Sequence, residues 1–210
     1  MKETLLIIDG SSLLYRAFYA IPSLTDSQGR PTNAVYGFLN MLLKLYEQLE
    51  PHYVAVAFDK DKHTFRNDLY DGYKATRKPA PDDLRPQFPL IREVLECLGI
   101  HVLELEGYEG DDIIGTVARQ MEAKDFHIDI VTGDRDALQL VDENVTVHLT
   151  KKGITNMLAV TPDVMAAEYG YAPSQVVDMK ASWVIRPTIF PAFPASEKRR
   201  RRSSSLNFSM

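Results

Sequence analysis

Leu5-Leu6-Ile7-Ile8-Asp9-Gly10 is an unbroken apolar run that stops at an acid and a glycine. A strand without polar alternation is buried on both faces, the pattern of parallel sheets covered by helices. Three more runs repeat the arrangement. Val54-Ala55-Val56-Ala57-Phe58 stops at Asp59, and His101-Val102-Leu103-Glu104-Leu105 leads to Glu109, Asp111 and Asp112. Ile128-Asp129-Ile130-Val131 leads to Asp134 and Asp136. If the four runs are neighbouring parallel strands, their carboxyl ends place seven acidic groups around one crevice. Such a cluster repels itself unless divalent cations bind it, and hard cations with oxygen ligands suit phosphate chemistry.

Outward from these runs, β and α alternate from Thr4 to about Val177. The expected strands are 4–8, 53–58, 101–105, 127–131 and 145–149. The expected helices are 34–49, 87–98, 111–124, 136–141, 162–169 and 173–178. Apolar spacing at Val35, Phe38, Leu39, Leu42, Leu43 and Leu45 marks the first helix. Pro162 and Pro173 mark two helix starts. The fold class is therefore α/β, a mainly parallel central sheet with helices on both faces. Ligands of such sheets bind outside the carboxyl ends of the strands, where the acids fall.

Taken singly, each acid has an ordinary structural explanation. Asp9 and Asp59 suit helix caps or turns. Glu109, Asp111 and Asp112 open a helix, where acids meet the positive end of the dipole, and Asp134 and Asp136 read as a cap. Their joint occurrence at four strand ends favours a metal site. Asp112 fits it least, because Asp111 and Asp112 cannot both point the same way on a helix.

Residues 60–86 lack an apolar period and form a long connection of the kind that carries function or motion. Lys60, Lys62, Arg66, Tyr73, Lys74, Arg77 and Lys78 cluster there, right after Asp59. The cations could grip a phosphate backbone and Tyr73 could stack on a base. Arg16, about two helical turns after Asp9, could add a phosphate contact. A solvated surface face is the plain alternative for each.

The 210 residues suit one compact domain, and 45% hydrophobic content is ordinary for a globular chain. The single cysteine, Cys97, excludes an internal disulfide and a thiolate metal cage. Its helical neighbours Ile91, Val94, Leu95 and Leu98 suggest a buried position. No apolar run is long enough to span a bilayer, and Met1-Lys2-Glu3 leads into a strand, not a signal peptide. A cytoplasmic monomer without membrane contact is expected. Net charge is −5, but residues 181–210 hold six of 24 Lys/Arg and one of 29 Asp/Glu. The first 180 residues thus carry 18 basic against 28 acidic side chains, which does not exclude a nucleic-acid partner when the acids collect at a metal site. A phosphate loop of the Gly-x-x-x-x-Gly-Lys type is absent, no His pair has zinc spacing, and Asp9 lacks a second Asp two residues on.

The ordered motifs carry a resemblance. Leu6-Ile7-Ile8-Asp9-Gly10, Leu14-Tyr15-Arg16-Ala17-Phe18, Ala34-Val35-Tyr36-Gly37-Phe38, Phe58-Asp59, Thr64-Phe65-Arg66 and Gly72-Tyr73-Lys74-Ala75 come first. Gly107-Tyr108-Glu109-Gly110-Asp111-Asp112 and Thr132-Gly133-Asp134-Arg135-Asp136 follow. Over residues 1–180 the chain resembles the N-terminal 5′ nuclease (5′–3′ exonuclease) domain of bacterial DNA polymerase I, a PIN-like fold. The resemblance implies a two-metal phosphodiesterase acting on DNA with 5′ ends, nicks or flaps, in replication and repair. It implies that Asp9, Asp59, Glu109, Asp111 and Asp112 hold one Mg²⁺ or Mn²⁺ and that Asp134 and Asp136 help hold a second. Arg66 and Lys74 would orient the scissile phosphate, and Arg16 a neighbouring one. Tyr73, Arg77 and Lys78 would meet DNA within a flexible helical arch over 60–86.

At Ala181 the resemblance stops. The family's Gly-Asp-x-Ser/Thr-Asp-Asn-Ile-Pro-Gly segment and its helix-hairpin-helix are missing, so the second ion site is incomplete. With one added G and a one-base change of register, synonymous codons can be chosen for residues 181–199 that encode Gly-Leu-Met-Gly-Asp-Lys-Thr-Asp-Asn-Ile-Pro-Gly-Val-Pro-Gly-Ile-Gly-Glu-Lys. The expectation is a domain over 1–180 and a frameshift-derived, disordered tail over 181–210. Impaired catalysis follows, with a non-catalytic DNA-binding fragment and a PIN-like ribonuclease as the alternatives.

Overall fold

The computed structural model describes residues 2–61, 63–76, 78–151 and 156–189, the last seven of these by backbone alone. Six strands form one sheet in the order β3-β2-β1-β4-β5-β6. They are β1 (Thr4–Asp9), β2 (Tyr53–Ala57), β3 (His101–Leu103), β4 (His127–Thr132), β5 (Val145–Thr150) and β6 (Met157–Val160). The first five are mutually parallel, and β6 runs antiparallel to β5. β1 lies at the centre, with Ile7 opposite Ala55 on one side and Ile130 on the other.

The period of two along β1 divides the core. Leu6 and Ile8 join Val56, Phe58 and Val131 on one face. There they pack under α1 (Gly10–Ala20), α2 (Asn33–Leu49) and α4 (Gln87–Cys97), through Leu13, Leu14, Phe38, Leu45, Ile91 and Leu95. Leu5 and Ile7 join Ile128, Ile130, Val145 and Val147 on the other face. They meet Ile114 and Ala118 of α5 (Gly110–Glu122), Leu138 of a 3₁₀ turn (Arg135–Leu140), and Met165. A continuous apolar strand is thus explained by helices on both sides. Among the described residues, no helix is long and apolar enough to cross a membrane.

Several boundaries differ from those read in the sequence. Helix α1, which Asp9 caps, is not among the expected helices. β6 closes the sheet as an unanticipated edge strand, and β3 ends at Leu103, two residues early. The segment 162–169 is α6 (Pro162–Val164) followed by a π-helical turn (Met165–Tyr169), which ends at Gly170 in the left-handed conformation. Cys97 is exposed, because the buried stripe of α4 is Gln87, Ile91 and Leu95. Position 97 falls two residues beyond that stripe and on the solvent side. α3 (Phe65–Leu69) lies within the 60–86 connection, and α7 (Val176–Ile189) continues through Ala181, where an irregular tail is expected. The rest of that tail, 190–210, lies outside the described residues.

Candidate active site at the carboxyl ends of the strands

The sheet winds in opposite directions from β1, toward β2 and β3 on one side and β4 and β5 on the other. The β1–β4 boundary is therefore the switch point, where the chain opens a crevice beyond the strand ends. A crevice of about 960 Å³ lies there. It is lined by the acids Asp9, Asp59, Glu109, Asp111 and Asp134, together with Tyr15, Arg16, Tyr19, Lys74, Lys78 and Lys151.

Local capping puts these acids in place. Asp9 ends β1 and caps α1, accepting from Ser12 N at 2.9 Å. Its other oxygen accepts from the Thr132 hydroxyl at 2.7 Å, which joins the ends of β1 and β4. Asp59 leaves β2 and accepts from Gly110 N at 2.8 Å, so its charge sits at the positive end of α5. Asp134 accepts from Asp136 N at 2.9 Å and caps the 3₁₀ turn. Gly133 N donates to Ser12 Oγ at 3.0 Å, fastening that turn to α1. The capping explanation and the clustering explanation are the same geometry: a cap residue after a parallel strand necessarily faces the carboxyl end of the sheet.

The electrostatics follow. Burial raises the Asp9 carboxyl, against the Ser12 and Thr132 hydrogen bonds that lower it, and the fields of Asp59 and Asp134 raise it further. Asp111 keeps an exposed edge, yet withdrawal from water and the fields of Asp9, Asp134, Asp59 and Glu109 push it up to about 7. Such self-repulsion calls for a cation.

The remaining expected residues separate into pairs. Asp112 faces away from the crevice and accepts both Arg66 nitrogens at 2.7 Å; Arg66 holds its carboxyl below the usual range. Glu109 accepts from Lys74 Nζ at 2.8 Å and from the Tyr73 hydroxyl at 3.1 Å. Asp136 opens on a neighbouring pocket with Asp111 and Asp112. Of the seven acids expected around one crevice, five line it, while Asp112 and Asp136 line the neighbouring pocket with Asp111. Likewise Arg66 and Tyr73 do not line the crevice, because both are turned toward the start of α5. Arg16 donates to the backbone carbonyls of Thr150, at 3.1 Å, and Lys151, anchoring it to the end of β5. Arg77 and Lys62 lie outside the described residues.

Sequence reading passes over Ser12, Thr132, Tyr19 and Lys151. The cap signature Asp9-Gly10-Ser11-Ser12, followed by Leu13, Leu14 and Ala17 at helical spacing, would have revealed both Ser12 and α1. No local signal marks the others.

The donor set fits a hard divalent ion, since every wall acid offers carboxylate oxygen. Among the described residues, no three histidine, cysteine or carboxylate groups stand close enough to hold one ion directly. An ion gripped by one or two carboxylates, with water completing its shell, suits this spacing.

Comparison with known proteins agrees with this geometry. Residues 4–170 match the family model of the 5′-3′ exonuclease, N-terminal resolvase-like domain, and the chain belongs to that family. It is 46% identical over 194 residues to DNA polymerase I of Bacillus caldotenax, covering 92% of this chain and 22% of the polymerase. It is 49% identical over 179 residues to DNA polymerase I of Caldicellulosiruptor bescii, covering 84% and 21%. The chain thus spans about a fifth of the length of these polymerases. Among solved structures, the T5 D15 protein co-crystallised with metal ions superposes with a TM-score of 0.65 at 17% identity, covering 85% of this chain and 65% of that one. The T5 D15 flap endonuclease in a pseudo-enzyme-product complex with DNA and metal ions gives 0.63 at 18% identity, with the same coverage. At such identities the likeness establishes a shared fold.

Proposed function

We propose that the chain hydrolyses phosphodiester bonds in DNA bearing 5′ ends, nicks or flaps, with Mg²⁺ or Mn²⁺ as cofactor. The observation that carries this reading is the convergence of Asp9, Asp59, Glu109, Asp111 and Asp134 on one crevice that also exposes Arg16, Lys74, Lys78 and Lys151. Carboxylates alone would repel a phosphodiester, and cations alone would only bind it. The family membership and the metal- and DNA-bound T5 relatives support the same reading.

One or two of Asp9, Asp59, Asp111 and Asp134 would hold the ion directly, with water completing its shell. When bound, it supplies Lewis acidity toward phosphate and lowers the pKa of water. The chain's own residues do the rest. The Thr132 and Ser12 hydrogen bonds fix the Asp9 carboxylate, so it need not reorient on binding. Lys74, held on Glu109, keeps its ammonium at the rim, where it would meet a non-bridging phosphate oxygen. Arg16, tied to the end of β5, would position a neighbouring phosphate, and exposed Tyr19 offers a face on which a base would stack. Arg66 supports this arrangement through Asp112 at the start of α5.

The stretch after Ala181 is proposed to be a frameshift product that lacks two family aspartates and the duplex-binding motif, so turnover falls well below that of an intact relative. A monomer in the cytoplasm, where a free Cys97 stays reduced, is the proposed setting. A second reading, a non-catalytic DNA-binding fragment, is favoured by the pairing of Asp112 and Glu109 with Arg66 and Lys74. The test is cleavage of a 5′-flap DNA with Mg²⁺, against Asp9→Ala and an RNA flap. Slow, metal-dependent DNA cleavage lost in Asp9→Ala is expected. Binding without product would establish the second reading, preference for the RNA flap would make the chain a ribonuclease, and equal product in a chelator would sink the proposal.

A further inference from the structure

Asn33 and Gln87 are buried amides that do not line the crevice. They are 54 residues apart and meet in one hydrogen-bond network. Gln87 Nε2 donates to Asn33 Oδ1 at 2.9 Å and to Asp83 O at 2.8 Å. Gln87 Oε1 accepts from Ala34 N at 2.7 Å and from Val35 N at 3.1 Å. Asn33 Nδ2 donates to Phe18 O at 3.1 Å and to Ile21 O at 3.2 Å. We propose that this pair is a positioning unit for substrate: it fixes the return end of the 60–86 connection against α1, and so sets the gap that a DNA strand must enter. The inference deepens the DNA reading above and rests on it.

Three observations support it. First, the network joins three helix ends. Thr32, the N-cap of α2, makes no side-chain capping bond, and Gln87 supplies that cap from the first turn of α4. Asn33 takes two carbonyls at the end of α1. Second, both attached parts line the crevice: α1 through Tyr15, Tyr19 and Ala20, and the connection through Lys74 and Lys78. Phe88, next to Gln87, meets Tyr15 edge-on at 6.0 Å and Phe58, next to Asp59, at 6.4 Å. Third, the connection is held from Pro81 onward. Leu84 is fully buried, and Leu84 N and Arg85 N donate to Pro81 O at 3.0 and 3.1 Å. Lys78 lies just before this fixed turn, so the anchorage decides where its ammonium reaches.

Buried amides are tolerated when their polar atoms are paired, and Gln87 has both lone pairs and both donors filled. An apolar side chain would fill the same space without fixing how the three helix ends meet. A fully satisfied polar network does fix it. Asn33 and Gln87 are thus positioning residues, acting through α1 and the connection and not on the substrate.

The test compares the full 210-residue chain with Gln87→Leu, Gln87→Glu and Asn33→Ala, at a temperature where circular dichroism shows each folded. Hydrogen exchange is followed peptide by peptide. The Kd for a labelled 5′-flap DNA is measured by anisotropy in Ca²⁺, a hard ion with oxygen preference, with product checked on a gel. Gln87→Leu and Asn33→Ala should exchange faster over 15–25 and 78–88, while β1 and β4 keep wild-type protection. Flap affinity should fall about tenfold, equivalent to about 1.4 kcal/mol. Mn²⁺ affinity should not change, because the bonds that place Asp9, Asp59 and Asp134 involve neither amide. Gln87→Glu keeps the acceptor for α2 and should lie between wild type and Gln87→Leu. If Gln87→Leu does not fold, Asn33→Ala carries the test, since it leaves the cap of α2 in place. Exchange that rises equally in β1 and β4, or folded variants that bind the flap as tightly as wild type, would overturn the positioning role and leave the DNA reading standing. A wild type without affinity for the flap would overturn both.

Discussion

The Thr132 hydroxyl donates a 2.7 Å hydrogen bond to Asp9 Oδ2 and accepts one from Asp134 N at 3.0 Å, so one side chain locks the two strand ends of the switch point. Thr132 is almost fully buried. Thr132→Val keeps the shape and removes the hydroxyl, which leaves a buried carboxylate short of a donor and an amide short of an acceptor. Stability should fall by about 1–3 kcal/mol. Thr132→Ser should recover most of it, because the hydroxyl returns. Denaturant midpoints of the three proteins check this; equal midpoints for Val and Ser would show that the hydrogen bonds do not matter.

Asp111 makes the metal-free protein sensitive to pH. An unfolded aspartate titrates near 4, and in the folded state this one is pushed up to about 7. The folded state therefore holds a proton that the unfolded chain has given up, and stability is lost as pH rises from about 4 through 7. Because Asp111 keeps an exposed edge, screening should hold the loss below about 1 kcal/mol. In chelator, Asp111→Asn should flatten this slope and melt higher than wild type at pH 8. Ion binding near pH 7 should release protons, as metal binding to a partly protonated carboxylate must. Melting curves across pH with and without Mg²⁺ measure both effects, and an Asp111→Asn protein with an unchanged slope would refute the assignment.

Much of this fold is legible because burial on both faces writes itself into a strand as a continuous apolar run. Leu5 to Ile8 and Val54 to Phe58 are of that kind, and the acids that end them follow from capping after parallel strands. β6 escapes notice because four residues, Met157–Val160, are too few to show a period. Cys97 misleads because composition suggests a core position while the phase set by Ile91 and Leu95 turns it outward. The pairing of acids with bases is least legible. Arg66 and Asp112 are 46 residues apart, and Thr132 and Asp9 are 123 apart. Only the sheet order brings them together, and no local pattern encodes which acid a cation will take.

Arg66 therefore has a structural share in the site. Its fork on Asp112 joins α3 to the start of α5, and Phe65 N donates to Gly107 O at 3.0 Å beside it. Arg66→Lys keeps the charge but loses the bidentate fit. The pair is partly exposed, so the expected destabilisation is about 1 kcal/mol or less. Asp112 is held low by Arg66, so this contribution is present above pH 4 and disappears as pH falls through the depressed folded value. Wild type and Arg66→Lys should differ at pH 7 and converge in acid. A constant difference across that range would mean that the ion pair contributes nothing.

Gly10 tests the packing beneath the site. A Cβ placed there would lie 2.5 Å from Phe58 Cζ and 2.6 Å from Cε1. The ring cannot retreat: Phe58 is fully buried, stacked on Phe38 with centroids 6.5 Å apart and edge-on to Phe88 at 6.4 Å. Alanine gains up to about 1 kcal/mol of helix propensity over glycine, but overpacking a rigid core costs about 1–3 kcal/mol. Gly10→Ala should therefore be destabilising on balance. It should also displace Asp9, because the residue that must move is its immediate neighbour at the first turn of α1. The two consequences separate by measurement: a lower denaturant midpoint reports the clash, and weaker Mn²⁺ binding under conditions where the chain stays folded reports the displaced carboxylate. A variant as stable as the wild type would show that α1 can slide over Phe58, and that the close approach of strand end and helix start does not fix the site.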